Sequence, residues 1–259
     1  MGVKGLFQFL KRFEDKVDIT EYIANKSVGI DIFWFIHRSK GDLFSLQASL
    51  LPIIKSAATI YCVFDGVAPS EKREELKARA ERREDILATC RRIEEWLSFP
   101  FHRINSETRQ IIRSYMFDLQ REAWTPSPMY IQTVWRWLET KGCILSRATG
   151  EADDTLAELE SSGAVDIIIT NDSDLLLLGA RTVLRVQYGC KKGAVYERDA
   201  ICKKIDFTAE QWNHFMYLCR HMKETDILLA FSFVSVYKDL DIVLQKYYTL
   251  YEDELLQIT

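Results

Sequence analysis

The chain has 259 residues, a mass of 30.2 kDa, 47% hydrophobic residues and a net charge of −4. This length fits one large α/β domain, and no apolar run reaches the roughly 18–20 residues of a membrane-spanning helix. The six cysteines form no Cys-x-x-Cys pair, which argues against zinc ribbons and redox motifs and favours a reducing, intracellular location.

Short apolar runs alternate with helical stretches along most of the chain. Because strands that are buried on both faces read as continuous apolar runs, we predict strands at residues 28–33, 60–64, 144–146, 167–170 and 182–186. Helices are predicted at residues 43–57, 71–97, 130–140 and 153–160. The alternation predicts a doubly wound, mostly parallel sheet.

Two segments do not follow this alternation. Residues 98–128 contain several arginines among apolar residues and close with Pro126 and Pro128, and we predict that they form a helical excursion over the top edge of the sheet. The C-terminal residues have a helical pattern throughout. We therefore divide the chain into a core, residues 1–207, and a helical C-terminal region, residues 208–259.

Acidic residues follow the predicted strands or begin the predicted helices. A single such residue is more often a helix cap or a turn residue. Several around one sheet edge would repel and raise one another's pKa values, a cost that a fold accepts where cations bind. Their oxygens suit Mg²⁺ or Mn²⁺, and two such ions about 4 Å apart can hydrolyse a phosphodiester. The candidates are Asp31, Asp65, Glu151, Asp153, Asp172 and Asp174, whereas Asp154 is expected to be an exposed acid at a helix start.

Basic residues are concentrated in residues 72–92, although the net charge is negative. Taken alone, this pattern is typical of a solvated helix with Glu–Lys and Glu–Arg pairs. A basic helix beside a cluster of carboxylates would instead bind phosphates without reading base sequence.

Five blocks of the sequence resemble the flap endonuclease / XPG-type superfamily of 5′ nucleases. Three lie in the first third: Met-Gly-Val-Lys-Gly-Leu-Phe-Gln-Phe-Leu, Val-Gly-Ile-Asp-Ile-Phe-Trp-Phe-Ile-His, and Val-Phe-Asp-Gly-Val-Ala-Pro with the basic helix after it. The others are Glu-Ala-Asp-Asp-Thr-Leu-Ala and Ile-Ile-Thr-Asn-Asp-Ser-Asp-Leu-Leu-Leu-Leu-Gly. The predicted strand carrying Trp34 and His37, with the Asp-Ser-Asp-Leu-Leu block, is most similar to the mismatch-repair 5′ exonuclease branch.

The resemblance implies a PIN-like fold in which residues 98–128 form a helical arch, through or past which a 5′ end is led. It implies that the six candidate carboxylates hold two Mg²⁺ ions, for which Mn²⁺ can substitute. It places Lys72 and Arg79 against the scissile phosphate, where they would neutralise transition-state charge. It also implies nucleic-acid contacts from Gly2, His37, Arg82 and Arg83.

The sequence departs from the family pattern near its C-terminus. The family has a glycine-rich helix–hairpin–helix that grips duplex phosphates, but no glycine occurs here after Gly193. Because backbone amide nests need residues with positive φ, that grip is predicted to be absent or rebuilt. The seventh family carboxylate falls on Met222, so Asp226 is the candidate ligand and Glu224 the reserve. No sliding-clamp motif of the family type is recognisable.

Together these features predict a monomeric, metal-dependent, structure-specific 5′ nuclease of DNA replication, repair or recombination. Its expected substrates are DNA with a 5′ flap, nick, gap or recessed end, and its expected location is the nucleus or, for a viral protein, the site of viral DNA replication or the cytoplasm. Two alternatives remain: an endoribonuclease of the viral host-shutoff type, which the degraded hairpin region would suit, and a catalytically dead scaffold. Mg²⁺-dependent cleavage of any substrate would exclude the scaffold, and a preference for DNA or for RNA would separate the two enzymes.

Overall fold

The computed structural model describes residues 5–99, 104–221 and 227–246. Its strands are β1 (Asp15–Asp18), β2 (Ser27–Asp31), β3 (Thr59–Phe64), β4 (Ile144–Arg147), β5 (Ile167–Ile169), β6 (Thr182–Val186) and β7 (Lys192–Glu197). Its helices are α1 (Leu6–Leu10), α2 (Ile19–Tyr22), α3 (Ile32–Ser39), α4 (Leu43–Ser56), α5 (Arg73–Ser98), α6 (Ser106–Glu122), α7 (Pro128–Thr140), α8 (Ala152–Ser161), α9 (Asp174–Leu177), α10 (Arg198–Ile205), α11 (Ala209–His221) and α12 (Ile227–Tyr237). None of the helices in these ranges has the length and apolar character to cross a membrane.

The strands form one sheet in the order β1-β7-β6-β5-β2-β3-β4. The five strands from β6 to β4 are parallel, and β7 and β1 add antiparallel pairs at one edge. The doubly wound, mostly parallel sheet is therefore confirmed. Because β2 pairs in parallel with β3 on one side and with β5 on the other, the carboxyl ends of these three central strands lie side by side.

Each face of the sheet carries its own hydrophobic core. On β3, Cys62 and Phe64 belong to one core and Val63 to the other, as the period of two along a strand requires. Helices α3, α4 and α7 cover the first core, and α1 with α8 to α12 cover the second. Burial on both faces explains why the parallel strands read as unbroken apolar runs.

The first predicted strand is too long. We predicted strand through residue 33, but β2 ends at Asp31 and α3 begins at Ile32, so Trp34 and His37 lie on a helix. The reason is local: the Asp31 side chain accepts a hydrogen bond of 3.1 Å from the Phe33 N–H and caps the helix. The predicted strand at residues 167–170 likewise ends one residue early.

The apolar pattern of the sequence did not predict strands β1 and β7. Their sequences, Asp-Lys-Val-Asp and Lys-Gly-Ala-Val-Tyr-Glu, are charged and only partly buried. Charged residues are common on short strands at or near a sheet edge, where they discourage pairing with other chains. Such strands lack the apolar run by which the central strands were recognised.

The helical excursion is the second arm of an antiparallel helical hairpin. Arg82 of α5 forms an ion pair of 2.8 Å with Glu122 at the end of α6. Further along, the Cys90 thiol lies 3.9 Å from the Met116 carbonyl oxygen. Of the C-terminal region, the described residues form α11, α12 and a short helix at residues 240–246, while residues 222–226 and 247–259 lie outside the described part.

Gly66 brings the loop after β3 against the loop before α8. Its N–H donates to the Gly150 carbonyl at 2.7 Å, and a Cβ on Gly66 would lie 1.9 Å from the Ala148 carbonyl oxygen. No side chain fits at that distance, so this contact requires glycine. It fixes the carboxyl end of β3 relative to the start of α8.

We predict that Gly66→Ala lowers the melting temperature by about 2–10 °C, because relieving such a clash costs about 1–3 kcal/mol. Gly150→Ala is the matched control, since a Cβ there meets nothing within 4 Å. Thermal unfolding by circular dichroism measures both. Equal melting temperatures for the two variants would contradict this account of the loop contact.

Candidate active site

A cavity of about 860 Å³ opens at the edge where β2, β3 and β5 end. Its wall carries acidic side chains from separate parts of the chain together with His37, Lys72 and Arg79. The structure thus brings together five of the predicted carboxylates: Asp31, Asp65, Glu151, Asp153 and Asp172. The sixth, Asp174, lies close enough to the others for its charge to raise the pKa of Asp153 and for the charge of Asp172 to raise its own pKa.

Helix starts hold the acidic side chains in place. Asp31 caps α3, and the Asp65 carboxylate accepts a hydrogen bond of 2.9 Å from the Ala152 N–H at the start of α8. Glu151 precedes α8 and Asp153 lies in its first turn. A helix N-terminus carries a partial positive charge, which offsets part of the repulsion among these carboxylates.

The loop after β5 carries the remaining acids in a fixed turn. The Thr170 hydroxyl accepts a hydrogen bond of 3.1 Å from the Asp172 N–H. The Asp172 carboxylate in turn accepts one of 3.1 Å from the Asp174 N–H, where α9 begins. These two hydrogen bonds fix the turn that places Asp172 and Asp174 just beyond the end of β5.

Desolvation and mutual repulsion disfavour the charged forms of these acids. Desolvation, followed by the charge of Asp65, raises the pKa of Asp31 to about 7. Desolvation, followed by the charges of Asp31 and Asp172, raises the pKa of Asp153 to about 8. Desolvation and Asp172 raise the pKa of Asp174 to about 6, and desolvation raises that of Asp65. A cation bound among these acids would therefore compete with protons for their oxygens.

The donor set fits a hard divalent cation. Among the described residues, no three His, Cys, Asp or Glu side chains converge tightly enough to enclose one ion. The carboxylates instead surround an open cavity. Mg²⁺ keeps several of its waters and binds through one or two carboxylates, so a ring of oxygen donors around such a space suits it and Mn²⁺.

Basic side chains line the side of the cavity that faces α5. The Lys72 ammonium forms an ion pair of 2.6 Å with Glu151. Partial burial opposes protonation of Lys72, but the hydrogen bond and charge of Glu151 outweigh it and raise the lysine's pKa. Arg79 lines the cavity and pairs with Glu75 on its own helix.

The predicted nucleic-acid contacts lie in different places. His37 lines the cavity, with its ring centroid 6.4 Å from that of Trp124, and burial followed by the charge of Lys40 lowers its pKa. Arg83 also acts electrostatically on His37, whereas Arg82 is engaged with Glu122. The predicted residues Gly2, Asp226 and Glu224 lie outside the described residues.

Sequence reasoning missed several cavity residues. Phe7, Trp34 and Asn171 line the wall beside the acids. Asn171 was discoverable, because it lies between Thr170 and Asp172 in a loop already singled out for its acids. Phe7 and Trp34 had no such signal, since aromatic residues in apolar stretches are usually core residues.

Comparisons with known proteins agree with this geometry. The family model described as the XPG N-terminal domain matches residues 1–86, and the one described as the XPG I-region matches residues 142–221. Exonuclease 1 of Danio rerio is 27% identical over 241 residues, covering 85% of this chain and 27% of the relative. Flap endonuclease 1 of Entamoeba histolytica is 25% identical over 280 residues, covering 95% and 70%. The chain spans only 27% and 30% of the two Exonuclease 1 relatives from Danio rerio and Xenopus laevis.

Solved structures share the fold. The catalytic core of Rad2 in complex with a DNA substrate superposes with a TM-score of 0.66 at 18% identity, covering 100% of this chain and 76% of that one. Flap endonuclease-1 from Methanococcus jannaschii gives a TM-score of 0.56 at 17% identity, covering 99% and 84%.

The raised pKa values predict how the metal-free protein responds to pH. The folded-state pKa of Asp153, about 8, lies above its unfolded value of about 3.9, so its contribution to stability is full below pH 4 and is lost as pH rises through 8. Asp31 acts in the same direction. With EDTA present, we expect the melting temperature to fall between pH 5 and pH 8.5, and to fall less in Asp153→Asn, which stays neutral.

Differential scanning calorimetry across that pH range tests this prediction. Asp154→Asn is the matched control, because Asp154 is the exposed neighbour on the same helix. We expect its profile to follow that of the unmodified protein. If the melting temperature of Asp153→Asn fell with pH as steeply as that of the unmodified protein, Asp153 would be ionised at neutral pH without a cation.

Proposed function

The chain belongs to the XPG-type superfamily of nucleases, and on this basis we propose that it is a divalent-metal-dependent 5′ nuclease that cuts DNA backbones. The observation that carries the proposal is the meeting of acids from four chain segments in one cavity that Lys72 and Arg79 also line. A phosphodiester placed there would lie between cation ligands and positive side chains. That is the arrangement that hydrolysis of a phosphate ester requires.

In this proposal the cofactor is Mg²⁺, as two ions, with Mn²⁺ able to replace it. A bound ion would supply Lewis-acid stabilisation of the phosphate and lower the pKa of a water. The proposed ligands are Asp31, Asp65, Glu151, Asp153, Asp172 and Asp174, with Asp226 as a seventh outside the described residues. The hydrogen bonds at the starts of α3 and α8 hold Asp31 and Asp65 in place for this role.

Lys72 and Arg79 are the proposed catalytic cations. Both line the cavity, and Lys72 has Glu151 as its partner when no phosphate is present. Substrate would take the place of Glu151 beside the ammonium, and the freed carboxylate would then be available to a cation. The two positive groups would neutralise charge that develops on the phosphate oxygens in the transition state.

The path proposed for the substrate passes His37 and the α5–α6 hairpin. His37 would contact a base or sugar at the cavity rim, while Gly2, Arg82 and Arg83 would contact phosphates. The hairpin would lead the 5′ end of a flap, nick, gap or recessed end. Because no glycine occurs after Gly193, the C-terminal region, residues 208–259, would grip duplex by a route other than a glycine-rich hairpin.

DNA is favoured over RNA as the substrate. The basic stretch of α5 is intact, and the Rad2 neighbour is described as a complex with DNA substrate. We propose that the protein acts inside the cell, in the nucleus or at a site of viral DNA replication, since its relatives are nucleases of animals, protists, plants and a virus. We further propose that it acts as a monomer.

A panel of labelled substrates tests the activity: a 5′ flap, a nicked duplex, a recessed-end duplex, single-stranded DNA and single-stranded RNA, each with Mg²⁺ or Mn²⁺. We expect preferred cutting of flap or duplex-end DNA that leaves 5′-phosphates. Asp153→Asn should abolish cutting and Asp154→Asn should retain it. Preferred cutting of RNA would replace this proposal with an endoribonuclease, and no metal-dependent cutting would eliminate both.

We further predict that Lys72→Met lowers the single-turnover rate on the preferred substrate by about 10²–10³-fold, since removing one pre-organised charge contact typically has that effect. Lys77→Met is the matched control, because Lys77 lies on α5, the helix that begins directly after Lys72, and has an exposed ion pair to Glu81. Quenched-flow measurement at saturating substrate gives both rates. Equal rates would remove Lys72 from the catalytic groups.

A further inference from the structure

Arg185 connects two separate parts of the cavity wall. Its guanidinium carbon lies 3.8 Å from the centroid of the Phe7 ring, and its Nε donates a hydrogen bond of 3.3 Å to the Asn171 side-chain oxygen. Phe7 comes from α1 and Asn171 from the loop after β5, and both line the cavity. The half-buried Arg185 side chain on β6 therefore contacts one residue from each of these two parts of the cavity wall.

Asn171 and Phe7 each have a second partner besides Arg185. The Asn171 amide nitrogen donates to the Val186 carbonyl at 2.7 Å, so its oxygen must face Arg185. The Phe7 ring packs 5.2 Å from the Tyr196 ring, and the Tyr196 hydroxyl donates to Glu14 at 3.1 Å. Neither Phe7 nor Asn171 can shift without disturbing the guanidinium between them.

We propose that Arg185 is a positioning residue with two separable effects. Through Asn171 it fixes the loop that carries Asp172 for cation binding, and through Phe7 it fixes α1 for substrate binding. This inference rests on the proposed nuclease function. A planar guanidinium can stack a face on a ring while donating in its plane, and an ammonium cannot reproduce both contacts.

A purely structural arginine would behave differently. Its loss would lower stability and reduce all functions together. Loss of a positioning residue would change metal binding and substrate binding separately, because each contact of Arg185 holds a different part of the cavity wall. Residues that orient metal ligands typically change metal affinity by about 10–100-fold when replaced, without altering the ligands themselves.

The test uses four variants of the full chain and three readouts. Asn171→Ala removes the loop contact and Phe7→Leu removes the ring contact. Arg185→Met removes both, together with a hydrogen bond to Tyr196 beside Phe7, and Arg185→Lys keeps charge over the ring. Arg136→Met, at an exposed arginine on α7, is the control. The readouts are the Mn²⁺ dissociation constant from the paramagnetic resonance of free ion without substrate, KM and kcat on flap DNA, and the melting temperature in EDTA.

We expect Asn171→Ala, Arg185→Met and Arg185→Lys to weaken Mn²⁺ binding about tenfold or more. Phe7→Leu should leave Mn²⁺ binding unchanged and raise KM several-fold, and Arg185→Met should raise KM as well. Arg185→Lys should keep KM near that of the unmodified protein. Arg136→Met should change none of the three.

The inference is overturned if folded Arg185→Met and Arg185→Lys bind Mn²⁺ as tightly as the unmodified protein. It is equally overturned if Phe7→Leu and Asn171→Ala change the same readouts in the same proportion. Should Arg185→Met not fold, Arg185→Lys and the two single-contact variants still decide it. Failure of the proposed function looks different: the unmodified protein would bind no Mn²⁺ and cut nothing, which would remove both proposals.

Discussion

The structure depends on one electrostatic constraint, the meeting of several carboxylates at a single sheet edge. Parallel strands bring their carboxyl ends together, so acids that are far apart in sequence become neighbours. Desolvation, followed by the charges of neighbouring acids, raises the pKa values of Asp31 and Asp153, so burial and repulsion both disfavour their charged forms. A divalent ion would reverse the sign of the interaction, because repelling charges would become ligands.

Three features of the surrounding structure hold the acids in place against this repulsion. Helix starts donate backbone hydrogen bonds to Asp31 and Asp65. Lys72 neutralises Glu151 on the side where a phosphate would approach. The Gly66 contact presses the loops after β3 and before α8 together, which keeps acids from both loops around the same cavity. Each of these contacts holds the acids in place and leaves the cavity open.

Contacts beyond the ring of acids also shape the site. Arg185 and Asn171 hold the acidic loop from the sheet side, and the ion pair between Arg82 and Glu122 joins the two arms of the α5–α6 hairpin. The C-terminal helices α11 and α12 pack into the core that also contains α1 and α8. The region that departs most from the family pattern is thus part of the same core as the elements that carry the site.

The sequence by itself determined the central strands, the acids at their ends and the basic helix, because burial on both faces and helical spacing leave local patterns. The sequence placed Trp34 and His37 on a strand, because a continuous apolar run has no periodicity that shows where a strand ends. The strand ends where the Asp31 side chain caps the following helix. Tertiary structure alone decided the pairing of Lys72 with Glu151, 79 residues apart, and of Arg185 with Asn171, 14 residues apart. Such partners are set by how strands and helices pack in space, and no local pattern in the chain encodes that distance.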